Sequence, residues 1–352
     1  MIKNITGTVD FIESLRGKKA TFMLALSNTA TANIDGITQA GIPGSIHLTP
    51  TLDSEFMCTG EVRSLPSIAT TPTGVPTPAL ISRAIHILNP FSNIELLNLG
   101  LESKPNINYF KIYNFDIDPS SAINIGANIN SLDIFSKATE FGQAYECKDD
   151  YIILGESVPS GTTTARTTTK ALGYDCNNLF SSSFKNVPNS IRDEVVNDAL
   201  KNITASDDVF SILSKVSDNM IIFVAGFILG LNNRIPIILA GGTQMAAVLL
   251  VVNSILRQMN GKIETSNLSL CTTSWVYEDS HSDIKALLEM LDFDLNTYYS
   301  DFNFMLSNHP ALSLYDKGEA KEGVGAGGCL AYGFLNGLSS EQITRKVEEF
   351  LS

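Results

Sequence analysis

Four short apolar runs in this chain end alike, in a burst of small or polar residues followed by a helical pattern. They are TFMLALSNTAT, YFKIYNFDIDPSS, YIILGESVPSGTTTART and IPIILAGGTQMAA, the first with a strand expected over 21–26. Between them, stretches such as 132–145 and 191–203 carry apolar residues at i, i+3, i+4 spacing. Strands alternating with helices predict an α/β fold, a parallel sheet covered on both faces. In such sheets ligands bind outside the carboxyl ends of the strands, where these polar exits lie. There is no internal repeat and no disordered linker. The expected seam is a helical shell, built from the two termini, around an α/β core.

Composition removes several classes of function. With 37 acidic against 24 basic residues the net charge is −13, and a nucleic-acid surface needs a basic stripe that releases counterions. The five cysteines (Cys58, Cys147, Cys176, Cys271, Cys329) are scattered without a CxxC pair, which points to a reducing compartment. No apolar signal segment opens the chain. The apolar run MIIFVAGFILGL, as a helix, spans about 18 Å against the ~30 Å of a hydrocarbon core. Residues 220–252 are therefore expected to hold a buried helix, a short connection, a buried strand and another helix. A cytoplasmic protein with no membrane and no nucleic-acid partner is expected.

The stretch GESVPSGTTTARTTTK, 155–170, carries the most chemistry. It follows a strand and supplies Ser160, Gly161, Thr162 and Thr163 where a helix is expected to begin. Unpaired backbone donors and the helix dipole favour an anion there. The lysine of a Walker A loop is missing. An ordinary Ser/Thr-rich cap would look much the same. Glu156 sharpens the functional reading, because a carboxylate beside an anion site must face something cationic, such as a sugar carbon developing positive charge. In KEGVGAGG, 321–328, Glu322 stands directly before glycines, among them Gly323 and Gly325, which permit close ligand approach. A carboxylate fixed by such a turn suits a general base, although a helix-packing turn explains the glycines nearly as well. AGGTQMAA places Gly241 and Gly242 at a strand end, where close packing and ligand contact are equal readings. In TTPTGVPTPALISRA, 70–84, Thr73, Gly74 and Pro76 belong to a stiff loop able to wall a flat apolar ligand, or simply to connect. Histidines 47, 86, 281 and 309 are dispersed; Glu278 and His281 alone do not make a zinc set. No metal and no cofactor is expected, and no GxSxG elbow supports a serine hydrolase.

Together these motifs resemble the nicotinate-nucleotide–dimethylbenzimidazole phosphoribosyltransferases of cobalamin assembly, in a divergent, archaeal-type form. GESVPSGTTTA at 155–165 is similar to the family's GEMGIGNTTAA, with Val158, Pro159 and Ser160 in place of Gly-Ile-Gly. VAGFILGLNNRIPIILAGG resembles its apolar helix and V-P-V-L-L-D-G strand exit. WVYEDSH looks like S-A-E-P-G-H, and EAKEGVGA like R-L-G-E-G-T-G-A. The match keeps order and spacing over about two thirds of the chain. By this resemblance the fold is Rossmann-like. One phosphoribosyltransferase unit spans 1–352, with an α/β core over 20–335 and a small helical subdomain from 1–19 and 336–352. Glu322 falls on the catalytic base, and Glu156 on the glutamate near the ribose and the incoming base. Gly155, Ser160, Gly161, Thr162, Thr163, Gly241, Gly242, Gly323, Gly325, Thr73, Gly74 and Pro76 would contact substrate. The implied reaction moves the 5-phosphoribosyl group from nicotinate mononucleotide to a benzimidazole-type base, giving an α-ribazole 5'-phosphate and nicotinate, in a homodimer. The alternatives are another acceptor (hydroxybenzimidazole, phenol or adenine) or a non-catalytic nucleotide-binding protein.

Overall fold

The computed structural model describes residues 1–186 and 188–352. Eight strands form one sheet: β1 (Ile2–Thr6), β2 (Ala20–Leu26), β3 (Asn93–Asn98), β4 (Lys111–Asn114), β5 (Tyr151–Ser157), β6 (Ile237–Ala240), β7 (Leu268–Thr273) and β8 (Asn296–Ser300). Their order is β1-β8-β7-β6-β5-β2-β3-β4. Every pairing is parallel except β1 with β8. From β2 the chain winds outward through β3 and β4, then returns to place β5 on the other side of β2. The winding therefore reverses between β2 and β5, and the crevice above such a reversal is where open α/β sheets bind ligands.

Among the described residues, ten helices of eight residues or more cover the sheet: α1 (Thr49–Thr59), α2 (Ala79–Leu88), α3 (Ser131–Ala144), α4 (Gly161–Ala171), α5 (Asn189–Leu200), α6 (Val209–Val216), α7 (Asn219–Leu231), α8 (Thr243–Met259), α9 (Ala326–Leu335) and α10 (Ser340–Glu349). The central strands are apolar on both faces because both are covered. Ile152 and Leu154 of β5 join one apolar layer, under α7 and α8. Tyr151 and Ile153 join the other, under α2 and α9. The helix α7 is apolar all round because it is enclosed. Gly142, Gly226 and Gly230 let it pack backbone to backbone on α3, and a Cβ at Gly230 would lie 2.3 Å from the Thr139 carbonyl. Among the described residues no helix is long and apolar enough to cross a membrane.

The N-terminal segment, expected to contribute to a small helical subdomain, holds both a strand and a helical turn. Ile2–Thr6 is an edge strand, antiparallel to β8. Thr6 donates to the Leu295 carbonyl at 2.8 Å, Met1 accepts from the Asp301 amide, and Ile5 points into the core. A single helical turn, Asp10–Ser14, follows. The C-terminal segment is helical over Ser340–Glu349. In α10, Ser339 and Gln342 form a capping box, and Ile343 and Val347 are buried in the layer beneath α2.

Candidate active site

Two segments cross at the carboxyl end of β5, and their glycines explain the crossing. A Cβ on Gly155 would lie 2.8 Å from the Gly325 nitrogen, and the Val324 amide donates to the Glu156 carbonyl at 2.8 Å. Gly155 and Gly325 thus dock the two glutamate-bearing segments against each other. They stand behind the cleft and do not line it. The second segment is strained: Ala320 (φ 55°), Gly323 (φ 148°), Val324 (φ 51°) and Gly325 (φ 70°) all have positive φ. A β-branched residue such as Val324 rarely adopts that conformation, and strain of this kind gathers at functional turns.

Glu322 sits at the head of this turn, ahead of α9. Its Oε1 accepts from the Gly323 and Gly327 amides, each at 3.2 Å. Its Oε2 accepts from the Thr273 amide at 3.0 Å and the Thr272 hydroxyl at 3.4 Å. Burial pushes its carboxyl up to about 7, although these donors favour the charged form. Glu156, at the exit of β5, is 3% exposed, and Oε1 accepts from Gln244 Nε2 at 3.1 Å. Burial pushes Glu156 up to about 8, helped by the charges of Glu322, Asp218 and Asp53.

The segment between Glu156 and α4 is not an ordinary cap. Ser160 is left-handed (φ 59°) and makes no side-chain cap bond, and its buried hydroxyl has no partner among the described residues. At Gly161 a Cβ would overlap Gln244 Oε1 at 1.8 Å. The hydroxyl of Thr164 donates to the Gly161 carbonyl at 2.9 Å and to Asp218 Oδ2. Asp218 also caps α7 by accepting from the Ile221 amide at 3.0 Å.

The cleft encloses about 920 Å³ of space free of protein atoms, part of it open to solvent. Of the residues expected from sequence, Glu156, Ser160, Gly161, Thr162, Gly242, Gly323, Pro76 and Glu322 line it. Besides Gly155 and Gly325, four of the expected residues do not line it. Thr163 is buried on the inner face of α4. Gly241 is drawn back by its amide bond to the Cys271 carbonyl. Thr73 and Gly74 are the tip of a tight turn closed by Gly74 N–H to Thr71 O and Thr71 N–H to Val75 O. The Thr73 hydroxyl there donates to Glu319 at 2.5 Å. The wall this loop offers is instead Val75, Pro76, Thr77 and Pro78.

Three contributors escaped sequence reasoning. Asp53, on α1, accepts from the Thr77 hydroxyl at 2.6 Å and the Ser157 hydroxyl at 2.7 Å, and burial pushes it up to about 6. Lys321 pairs with Asp279 at 2.8 Å, both side chains being 4% exposed. Ser181–183 form a further edge. No local pattern marks these, since the partners lie 24 to 104 residues apart. Glu278 and His281 are exposed and off the cleft; Asp279 between them is the residue turned inward. Among the described residues no group of three or more His, Cys, Asp or Glu side chains is arranged to hold a metal.

These geometries carry an expected result. Glu156 takes up its proton well above the ordinary carboxylate range when folded, so the folded chain binds more protons than the unfolded one from that range up to about 8. Stability contributed by this site therefore falls as pH rises across that window. Glu156→Gln should raise the urea midpoint near neutral pH, with a gain that shrinks to nothing near pH 4. An equal or lower midpoint at pH 8 would contradict the assigned burial.

No family model matches the chain. It is 33% identical over 358 residues to the UPF0284 protein of Saccharolobus islandicus (strain Y.N.15.51 / Yellowstone #2), covering 100% of this chain and 97% of that relative. The UPF0284 protein of Saccharolobus solfataricus is 34% identical over 355 residues (100% and 97%). That of Metallosphaera sedula is 33% identical over 344 residues (97% and 95%). Among solved structures, the nicotinate-nucleotide-dimethylbenzimidazole phosphoribosyltransferase from Thermus thermophilus superposes with a TM-score of 0.57 at 14% identity, covering 94% of this chain and 83% of that one. A second structure, CobT from the same organism, gives a TM-score of 0.57 at 13% identity, covering 94% and 84%. At such identity the likeness shows a common α/β fold. Coverage from end to end at a third identity shows more: the chain belongs to the UPF0284 family.

Proposed function

We propose that this protein transfers the 5-phosphoribosyl group of nicotinate mononucleotide to the ring nitrogen of a benzimidazole-type base, releasing nicotinate. The observation that carries the reading is a pair of carboxylates, Glu156 and Glu322, lining one cleft beside the N-terminus of α4. The shared fold of the Thermus enzyme supports it, although a fold alone does not assign chemistry. In the reaction the C1–N bond to the pyridinium breaks, and the electron pair leaves with the ring nitrogen, so no general acid is needed. Positive charge grows on the ribose, and Glu156 is placed to stabilise it in its ionised form. The lone pair of the acceptor's imine-type ring nitrogen forms the new C1–N bond, and the N–H proton on its other ring nitrogen passes to Glu322. Turnover should fall as pH drops through about 8 to 7, the range in which Glu156 and Glu322 take up protons. A homodimer belongs to the same proposal and is checked by sedimentation.

One observation favours a polar acceptor as the second reading. The apolar wall of Val75 and Pro76 is broken by Thr77 and Asp53, a buried hydroxyl–carboxylate pair able to read a ring hydroxyl or amine. Benzimidazole, its dimethyl and hydroxy forms, adenine and phenol should be compared at saturating nucleotide. A spread under about 200-fold among the three benzimidazoles is expected of an apolar wall. Exclusive use of the hydroxy form, adenine or phenol would assign the acceptor site to Asp53 and Thr77, because a buried polar pair left unfilled is costly.

A further inference from the structure

The cleft is short of positive charge, and its one cation is held in an unusual way. Among the described residues Lys321 alone of the lysines and arginines lines it, against three carboxylates, Asp53, Glu156 and Glu322. The Lys321 ammonium is 2.8 Å from Asp279 Oδ2 and 3.5 Å from the Phe184 carbonyl. An ammonium has three N–H donors, and among the described residues the third has no protein acceptor. Asp279 in turn accepts from the Ser282 hydroxyl at 3.1 Å, the Ser181 hydroxyl at 3.3 Å and the His281 amide at 3.1 Å. Burial opposes its charge, but Lys321 and these donors outweigh that and hold its carboxyl below the usual range. Asp279 is thus a fixed anion that orients Lys321. A buried ion pair of this kind adds little to stability compared with apolar packing, so stability does not account for its position in the wall of a cleft.

What surrounds Lys321 points to an anion. The N-termini of α4 and α8 both open on the same cleft, through Gly161 and Thr162 and through Gly242 and Thr243. Each brings the positive end of a helix dipole, although the Gly161 amide itself is taken by the Val158 carbonyl at 3.0 Å. The Ser160 hydroxyl, in a residue only 6% exposed, also lacks a partner among the described residues. We propose that Lys321 is the cation that binds the substrate's 5-phosphate, its free N–H completing a cradle formed by the N-termini of α4 and α8. The inference rests on the reading of the cleft as a phosphoribosyl site, and it adds a specificity residue: Lys321 is what makes the cleft prefer a phosphorylated ribose over the free sugar.

Calorimetric titration of the full chain with ribose 5-phosphate tests this without turnover. Removing a charge-assisted hydrogen bond should weaken binding about 10- to 100-fold in Lys321→Met. Because that change strands Asp279, the double variant Lys321→Met with Asp279→Asn is measured beside it and should show the same loss with its thermal transition retained. Asp279→Asn alone, which keeps the cation but loosens its orientation, should lose less than Lys321→Met. Wild-type affinity in the double variant would overturn the proposal, as would an equal loss in Asp279→Asn, which would make the pair structural. A loss of nicotinate binding as large as that of ribose 5-phosphate would move Lys321 to the ring carboxylate and overturn it too. If wild type turns over nicotinate mononucleotide and Lys321→Met is unimpaired, only Lys321 falls. If wild type does not bind ribose 5-phosphate at all, the phosphoribosyl reading falls with it.

Discussion

Glu322→Gln is expected to lower turnover by about 10²- to 10⁴-fold, the usual cost of losing a general base. The change is nearly isosteric, but its chemistry is not. Every donor around Glu322 is an N–H or O–H aimed at carboxylate oxygen: the amides of Gly323, Gly327 and Thr273 and the hydroxyl of Thr272. A glutamine must turn its own NH₂ toward one of these pairs. The Gly323–Gly325 turn should therefore loosen slightly while the proton acceptor is lost. Binding of nicotinate mononucleotide, followed by calorimetry, should survive. Glu322→Asp keeps the charge but draws it back by a methylene, and should fall between wild type and Glu322→Gln. Turnover of the glutamine variant within a few-fold of wild type would remove Glu322 from the mechanism.

Asp218→Ala is expected to destabilise the chain by about 3 kcal/mol, from a lost N-cap and buried donors left without their acceptor. Asp218 is fully buried and ties α4 to α7 through the Thr164 hydroxyl and the Ile221 amide. It matters to the site as well, because its charge helps to push the Glu156 carboxyl up. Asp218→Asn keeps an oxygen for the cap and removes the charge. It should retain most of the stability and lower the pH at which Glu156 titrates. A urea midpoint unchanged in Asp218→Ala would show that α4 is anchored by packing alone.

The sequence showed the layer architecture because burial on both faces leaves β2, β5 and β6 as nearly continuous apolar runs. It showed the start of α4 because the strand exit and the Ser/Thr run are local. β7 and β8 were harder: LSLCTT and NTYYS are short and rich in hydroxyl groups, so neither alternation nor a pure apolar run marks them. β1 owes its conformation to pairing with β8 almost 300 residues away, which no local pattern encodes. Both glutamates were legible, each beside glycine. The glycines themselves misled in part, for Gly155 and Gly325 serve the docking of two backbones, while of the glycines expected from sequence Gly161, Gly242 and Gly323 reach the cleft. Asp53 could not be found from its helix, since α1 is almost wholly buried and Asp53 is distinguished only by facing Thr77 and Ser157. The Lys321–Asp279 pair is likewise formed by tertiary contact alone.

The most direct test is to mix the purified protein with nicotinate mononucleotide, with and without a benzimidazole acceptor, and quantify free nicotinate and the ribosylated base together. The account predicts nicotinate release that requires the acceptor, matches the new riboside 5'-phosphate one for one, and disappears in Glu322→Gln. Binding of nicotinate mononucleotide with no nicotinate released, for any of the benzimidazoles, adenine or phenol, would contradict it and leave a nucleotide-binding protein without this chemistry.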